Sequence, residues 1–202
     1  MLAMTFAVIA ASMHVAAFLL YKRNMGKGMA TPNPATWMLW VILTTLNCAT
    51  YLTSTSDIIK SALPIASSLA NIYVFVVALR LGKFRPLDQL EKVILLLGSL
   101  IGLLWLLFHD AKMANLLVQI PIALSFYPTY RGVWRDPKTE TRVFPWYLWS
   151  IAYLVSLIAI FLQWEHDPRP DDGLYQLAYP ILCFILHGGV GLLAQRHPKK
   201  SL

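Results

Sequence analysis

The sequence predicts an all-α integral membrane protein of seven transmembrane helices, with two parallel three-helix repeats joined by a linker helix, the N-terminus outside and the C-terminus inside. Three observations predict this. Of 202 residues, 57% are hydrophobic and only 13% charged, about half the charged share of an ordinary soluble domain. The charges collect in short clusters between long apolar stretches, and the basic clusters alternate along the chain. Sequence features of the first three stretches recur, in order, in the last three.

The predicted spans are Leu2–Tyr21, Ala35–Thr53, Ser61–Leu81, Val93–Phe108, Met113–Tyr130, Pro145–Gln163 and Leu174–Gln195. About 20 helical residues at 1.5 Å each cross a hydrocarbon core of about 30 Å. Val93–Phe108 is the shortest of the seven. The stretches are continuously apolar, which excludes the alternation of a β-barrel strand. Leu2–Tyr21 lacks a basic leader and carries its positive charges after the apolar run, so it reads as helix 1, not a signal peptide.

Lysine and arginine in the loops set the orientation. Three follow helix 1 (Lys22, Arg23, Lys27), four follow helix 3 (Arg80, Lys83, Arg85, Lys92), four follow helix 5 (Arg131, Arg135, Lys138, Arg142) and three form the tail (Arg196, Lys199, Lys200). The intervening loops hold one each, at Lys60, Lys112 and Arg169. The basic side is the cytoplasmic side of a multi-pass protein, expected in a bacterial inner (plasma) membrane. The net charge of +7 therefore serves topology and anionic lipid, and no nucleic-acid partner is expected. Glu165, Asp167, Asp171 and Asp172 make the sixth loop acidic and solvated. His109-Asp110, at the outer end of helix 4, reads as a solvated loop.

Cys48 and Cys183 fall within spans and read as small apolar residues. Gly188, Gly189 and Gly191 have no preceding strand and do not form a phosphate loop. With Gly98 and Gly102 they are expected to allow close helix packing.

The repeat is visible residue by residue. Tyr21-Lys22 recurs as Tyr130-Arg131, and Trp37-Met38-Leu39-Trp40 as Trp146-Tyr147-Leu148-Trp149, both 109 residues on. Ala62-Leu63-Pro64-Ile65 matches Ala178-Tyr179-Pro180-Ile181 at 116, the longer sixth loop absorbing the difference. Helix 4 is unrepeated and crosses once, so the two triplets keep the same orientation, related by an axis along the membrane normal. The expected organisation is residues 1–81 for the first repeat, 82–110 for the linker helix, and 111–202 for the second repeat and tail.

This plan resembles the SWEET and PQ-loop transporter superfamily, and the bacterial nicotinamide-riboside carriers are also similar. Leu124-Ser125-Phe126-Tyr127-Pro128-Thr129-Tyr130-Arg131, then Trp134-Arg135, resembles the end of helix 5 in PQ-loop proteins. The motif is degenerate: Thr129 replaces the Gln, and the matching place in helix 1 is Leu19-Leu20.

A polar side chain in lipid needs an internal partner or a water-lined cavity. Asn71 and His187 stand seven residues after Pro64 and Pro180, near the middle of helices 3 and 7. Facing one another they offer hydrogen bonds without a fixed charge. The resemblance places substrate contacts on these two helices, hence on Asn71 and His187; helix-packing hydrogen bonds are the alternative. Asn47 and Ser156, equivalent at 109, are further substrate-binding candidates. Trp37, Trp40, Trp146 and Trp149 form either an interfacial belt or an aromatic gate that closes the inner mouth of a cavity. His14 reads as a packing or hydrogen-bonded histidine, since its counterpart Ala123 is apolar. Pro64, Pro121, Pro128 and Pro180 interrupt the helical ladder; Pro64, Pro128 and Pro180 are the candidate hinges.

No span interior contains Asp or Glu, so an enzyme is not expected, and neither is a metal or cofactor. The expected function is a facilitative carrier of a neutral polar solute (sugar, nucleoside or vitamin) by alternating access, its partners being the bilayer and a small molecule, with a homo-oligomer compatible. The alternatives are a non-transporting scaffold or receptor, or a channel, on the same bundle.

Overall fold

A computed structural model describes residues 1–29, 34–81, 86–140, 142–164 and 173–196. Lys83, Arg85, Glu165, Asp167, Arg169, Asp171, Asp172, Lys199 and Lys200, which enter the charge pattern above, lie outside the described residues. The described residues form α1 (Leu2–Gly26), α2 (Pro34–Thr55), α3 (Ile58–Leu81), α4 (Gln89–Phe108), α5 (Ala111–Ser125), α6 (Tyr127–Arg135), α7 (Phe144–Trp164) and α8 (Gly173–Ala194), with a 3-10 turn at Pro137–Thr139. Helix is the form a single apolar segment takes in lipid, because every backbone group is then satisfied within the segment. Six of these helices are long and apolar enough to cross a membrane: α1, α2, α3, α4, α7 and α8. The chain is an all-helical, multi-pass membrane protein.

The fifth predicted span, Met113–Tyr130, is interrupted. It divides at Phe126 into α5 and α6. Pro128 has no N–H to return to Leu124, and the Phe126 N–H bonds Ala123 O at 3.2 Å, an early closure that tightens the last turn. The 15 residues of α5 rise only about 22 Å. Helix 4, by contrast, is longer than expected. Asp88 accepts from the Glu91 N–H while Glu91 accepts from the Asp88 N–H, a capping box that starts the helix four residues before Val93.

Two tight connections are built alike. Ser56 and His109 adopt left-handed backbone, with φ of 52° and 54°. The next residue in each case, Asp57 or Asp110, caps the following helix through its carboxylate. The His109-Asp110 pair is thus a structured turn and cap.

α3 packs against both α1 and α2, and α8 against both α5 and α7. Between these triplets α1 lies on α7 and α2 on α5, while α4 packs outside on α5 and α2. Glu91, Ile94, Gly98 and Ile101 form the buried stripe of α4, and Leu96, Leu103 and Leu106 are exposed on its outer side. Glycines permit the closest approaches. A Cβ on Gly98 would meet Leu43, one on Gly188 would meet Ser150, and one on Gly189 would collide with the Tyr130 hydroxyl.

Candidate functional site

The centre of the bundle holds a cavity of about 30 Å³, room for one or two water molecules. α1 contributes His14 and Phe18 to its wall, α2 Trp40, Leu43 and Thr44, and α3 Ser67 and Asn71. Ile122, Ser125 and Phe126 come from the break between α5 and α6, Trp149 and Tyr153 from α7, and Tyr179, Cys183 and His187 from α8. No residue of α4 takes part.

Asn71 and His187 therefore share one cavity. The Asn71 amide donates to Ser67 O at 2.9 Å, leaving Oδ1 without a partner among the described residues. His187 Nδ1 lies 2.8 Å from Cys183 O. A carbonyl only accepts, so Nδ1 carries the proton and the neutral ring presents a lone pair at Nε2. Tyr153 and Tyr179 bond hydroxyl to hydroxyl at 2.9 Å, and Tyr179 donates to Ser67 Oγ at 3.2 Å. These bonds run from α7 through α8 to α3.

His14 was expected to be a packing or hydrogen-bonded histidine. It packs, edge-on to Phe18 and Tyr153 with centroids 5.1 Å away, but neither ring nitrogen has a partner among the described residues. It is buried and lines the cavity. Cys183, read as a small apolar residue, lines it too.

The belt reading of the four tryptophans is corrected. Trp37, Trp146 and Trp149 are 3%, 1% and 1% exposed, and Trp40 is half-buried with its indole N–H donating to Ser125 Oγ at 2.9 Å. The i, i+3 pairs turn inward because the facing helices present Phe18, Tyr21, Phe126 and His187, onto whose rings the indoles pack. Among the described residues, Tyr127, Trp134 and Phe144 are exposed aromatics.

Tyr21, Trp37 and Trp146 lie one helical turn nearer the helix ends than Phe18, Trp40 and Trp149. Their rings stack edge-on or tilted on those of the cavity wall, with Tyr21 at 5.5 Å and Trp146 at 5.1 Å from Trp149. Glu140, in the connection before α7, joins this plug. It is 8% exposed and accepts from the Tyr21 hydroxyl and the Trp146 indole N–H, each at 3.0 Å. Burial pushes its carboxyl up to about 7, against the opposing effect of the two donors.

Asn47 and Ser156 do not line the cavity. Asn47 belongs to an amide cluster between α2 and α5, where its Oδ1 accepts from Asn115 at 3.2 Å and Gln119 at 2.9 Å. Ser156 is buried in α7. Pro64 and Pro180 stay inside continuous helices, whereas Pro128 follows a real break. Pro180 cannot bond back to Gln176, and the freed Gln176 carbonyl accepts from the Tyr51 hydroxyl at 3.0 Å.

Sequence reasoning missed Ser67, Thr44, Tyr153 and Glu140. A signal for three of them existed. Ser67 lies four residues before Asn71, and Thr44 and Tyr153 four after Trp40 and Trp149, on the same helical faces. Glu140 gave none, since nothing in a polar connection foretells a buried carboxylate. Among the described residues no group of three or more His, Cys, Asp or Glu is placed to hold a metal ion. Comparison of the chain with protein-family models, with curated proteins and with solved structures found no match to any of them.

Proposed function

We propose that this protein is a small-solute carrier of the SWEET and PQ-loop plan, with two parallel repeats, the broken helix α5–α6 serving as the fifth span, and the basic end in the cytoplasm. One observation carries the reading. Trp40 and Trp149, and Thr44 and Tyr153, are each 109 residues apart, while Ser67 and Cys183, and Asn71 and His187, are each 116 apart. All eight line one cavity. Those are the offsets of the sequence repeat, so eight of the cavity's 15 lining residues come in matched pairs. The neighbour pattern supports the same symmetry: the third helix of each triplet sits beside the other two, and the first helix of each packs on the second of the other. Such an axis passes through a site that two halves can expose alternately.

The wall has no charged side chain and a surplus of unpartnered polar atoms, which favours a neutral solute bearing hydrogen-bond donors and acceptors. With room only for water, the cavity corresponds to a closed conformation. A sugar or nucleoside enters when the aromatic plug on one side, or the opposite end, parts.

The test is a thermal-shift screen of the purified protein against sugars, nucleosides, vitamins and amino acids, followed by uptake into proteoliposomes. One solute class is expected to stabilise the protein and to be taken up, with both effects lost in Asn71→Ala. If no class stabilises the protein, or if the effect survives both Asn71→Ala and His187→Ala, the site is refuted and the scaffold, receptor and channel readings gain.

A further inference from the structure

The plug beside the cavity contains a carboxyl that the carrier reading does not use. Glu140 has Tyr21 of α1 on one carboxyl oxygen and Trp146 of α7 on the other. The helices bearing these donors pack on one another across the two triplets. We propose that Glu140 is a proton-binding site coupled to this mouth of the cavity: it holds a proton while Tyr21 and Trp146 are shut together, and releases it to water as they part. The use of that coupling, to link proton movement to solute movement, rests on the carrier reading above.

The partners suit both forms of the carboxyl. The Trp146 N–H donates to an oxygen in either form. The Tyr21 hydroxyl donates to the carboxylate or, turned, accepts from the acid. The surrounding charges do not hold the group ionised. Lys22 and Arg23 on α1, Arg131 and Arg135 on α6, Asp136 and Lys138 in the connection, Arg142 ahead of α7, and His187 and Arg196 from α8 stand on the elements around it. The bonds to Glu140 come instead from Tyr21 and Trp146, and Arg196 lies 4.2 Å over the Trp134 ring. Burial therefore governs the closed form and raises its proton affinity, as the carboxyl's position near 7 reflects.

The direction of coupling follows from linkage. The conformation that binds the proton more tightly is favoured by acid, and that is the shut one. Parting of the plug admits water, and the carboxyl returns toward its ordinary range. The O–H bond then breaks, the proton passes to water as hydronium, and a hydrated carboxylate remains. Alkali favours the open mouth and acid the shut one.

Cys183 is a native reporter, since its thiol lines the cavity and is 2% exposed. In full-length Cys48→Ala protein, its rate of modification by methyl methanethiosulfonate is measured from about pH 5.5 to about pH 8.5. Each rate is divided by that of the same protein carrying Glu140→Gln, which mimics the permanently neutral acid; the division cancels the thiol's own ionisation. The ratio is expected to rise several-fold with a midpoint near the carboxyl's value of about 7. Tyr21→Phe, which removes a donor to the carboxylate, is expected to move that midpoint upward, and it supplies the comparison if Glu140→Gln does not fold. A flat ratio, a thiol that never reacts, or a midpoint unmoved by Tyr21→Phe overturns the proposal. A stepped ratio without solute uptake removes the carrier reading and leaves the proton-linked mouth standing; solute uptake with a flat ratio does the reverse.

Discussion

Two of the polar clusters within the apolar bundle are built from the same kinds of side chain. Between α2 and α5, Asn47, Thr50, Asn115 and Gln119 bond mainly to one another: Asn115 reaches Asn47 at 3.2 Å and Thr50 at 3.1 Å, and Gln119 reaches Asn47 at 2.9 Å. None of the four lines the central cavity. Around that cavity, Asn71 and His187 bond only within their own helices, to Ser67 and Cys183 four residues back. Among the described residues Asn71 Oδ1 has no partner, and neither has either ring nitrogen of His14 in the wall beside it; the amide cluster also keeps unpartnered atoms, at Asn47 Nδ2, Asn115 Oδ1 and Gln119 Oε1. The first cluster joins two helices; the second surrounds a space. A polar residue within a membrane span is thus not by itself a site. Glue and pocket differ in what the side chain faces: a second helix to which it bonds, or a void.

Removing members of each cluster should separate the two roles. Asn71→Ala and His187→Ala are expected to weaken solute binding about 10- to 100-fold each, the loss of one hydrogen bond to a buried partner, while leaving the melting temperature of the solute-free protein nearly unchanged. Unfolding of either variant during purification would place these residues with the glue, and the comparison would break.

A smaller effect is expected from pH. Glu140 belongs to the cavity's plug and not to the amide cluster. Its carboxyl sits at about 7 in the folded chain against an ordinary 4.5, so between those values the folded state binds the proton that the unfolded state has lost. Stability against chemical denaturation in detergent should therefore be greatest below about 4.5, decline as pH rises to about 7, and stay level above. The decline is on the order of 3 kcal/mol. Glu140→Gln should abolish it, and Asn47→Ala should leave it intact. A stability that rises with pH across that window in the wild type but not in Glu140→Gln would reverse the sign assigned to this group.

Asn47→Ala should cost about 1–2 kcal/mol of stability, since it strands amides of Asn115 and Gln119 at the α2–α5 contact. Solute affinity should change less than about twofold, measured by titration of the folded fraction. A larger change would mean that the amide cluster feeds the cavity after all. Ser156→Ala should have the least effect, within about 0.5 kcal/mol and with transport unaltered, because Ser156 takes part in neither cluster.

Much of this is legible in the sequence. Continuous apolar runs of spanning length imply helices, because lipid leaves the backbone no other partner. The repeat at 109 and 116 residues pointed to Asn71, His187, Trp40 and Trp149, all four of which line the cavity. Spacing, however, assigns a residue only to a helical face, and which neighbour that face meets is a property of packing. Asn47 and Asn71 are indistinguishable as mid-span asparagines; one faces α5 and its amides, the other the void beside α8. Trp37 and Trp146 have the composition and position of an interfacial belt, and only the rings of Phe18, Tyr21 and His187 turn them inward. Glu140 lies in a polar connection, with nothing local to set it apart from Asp136 four residues earlier. Its burial depends on Tyr21, 119 residues away in sequence, meeting Trp146 where α1 packs on α7. Local sequence determines helices and their faces through backbone satisfaction and periodicity. Pairing, burial and proton affinity are decided between segments distant along the chain, and so only by the tertiary structure.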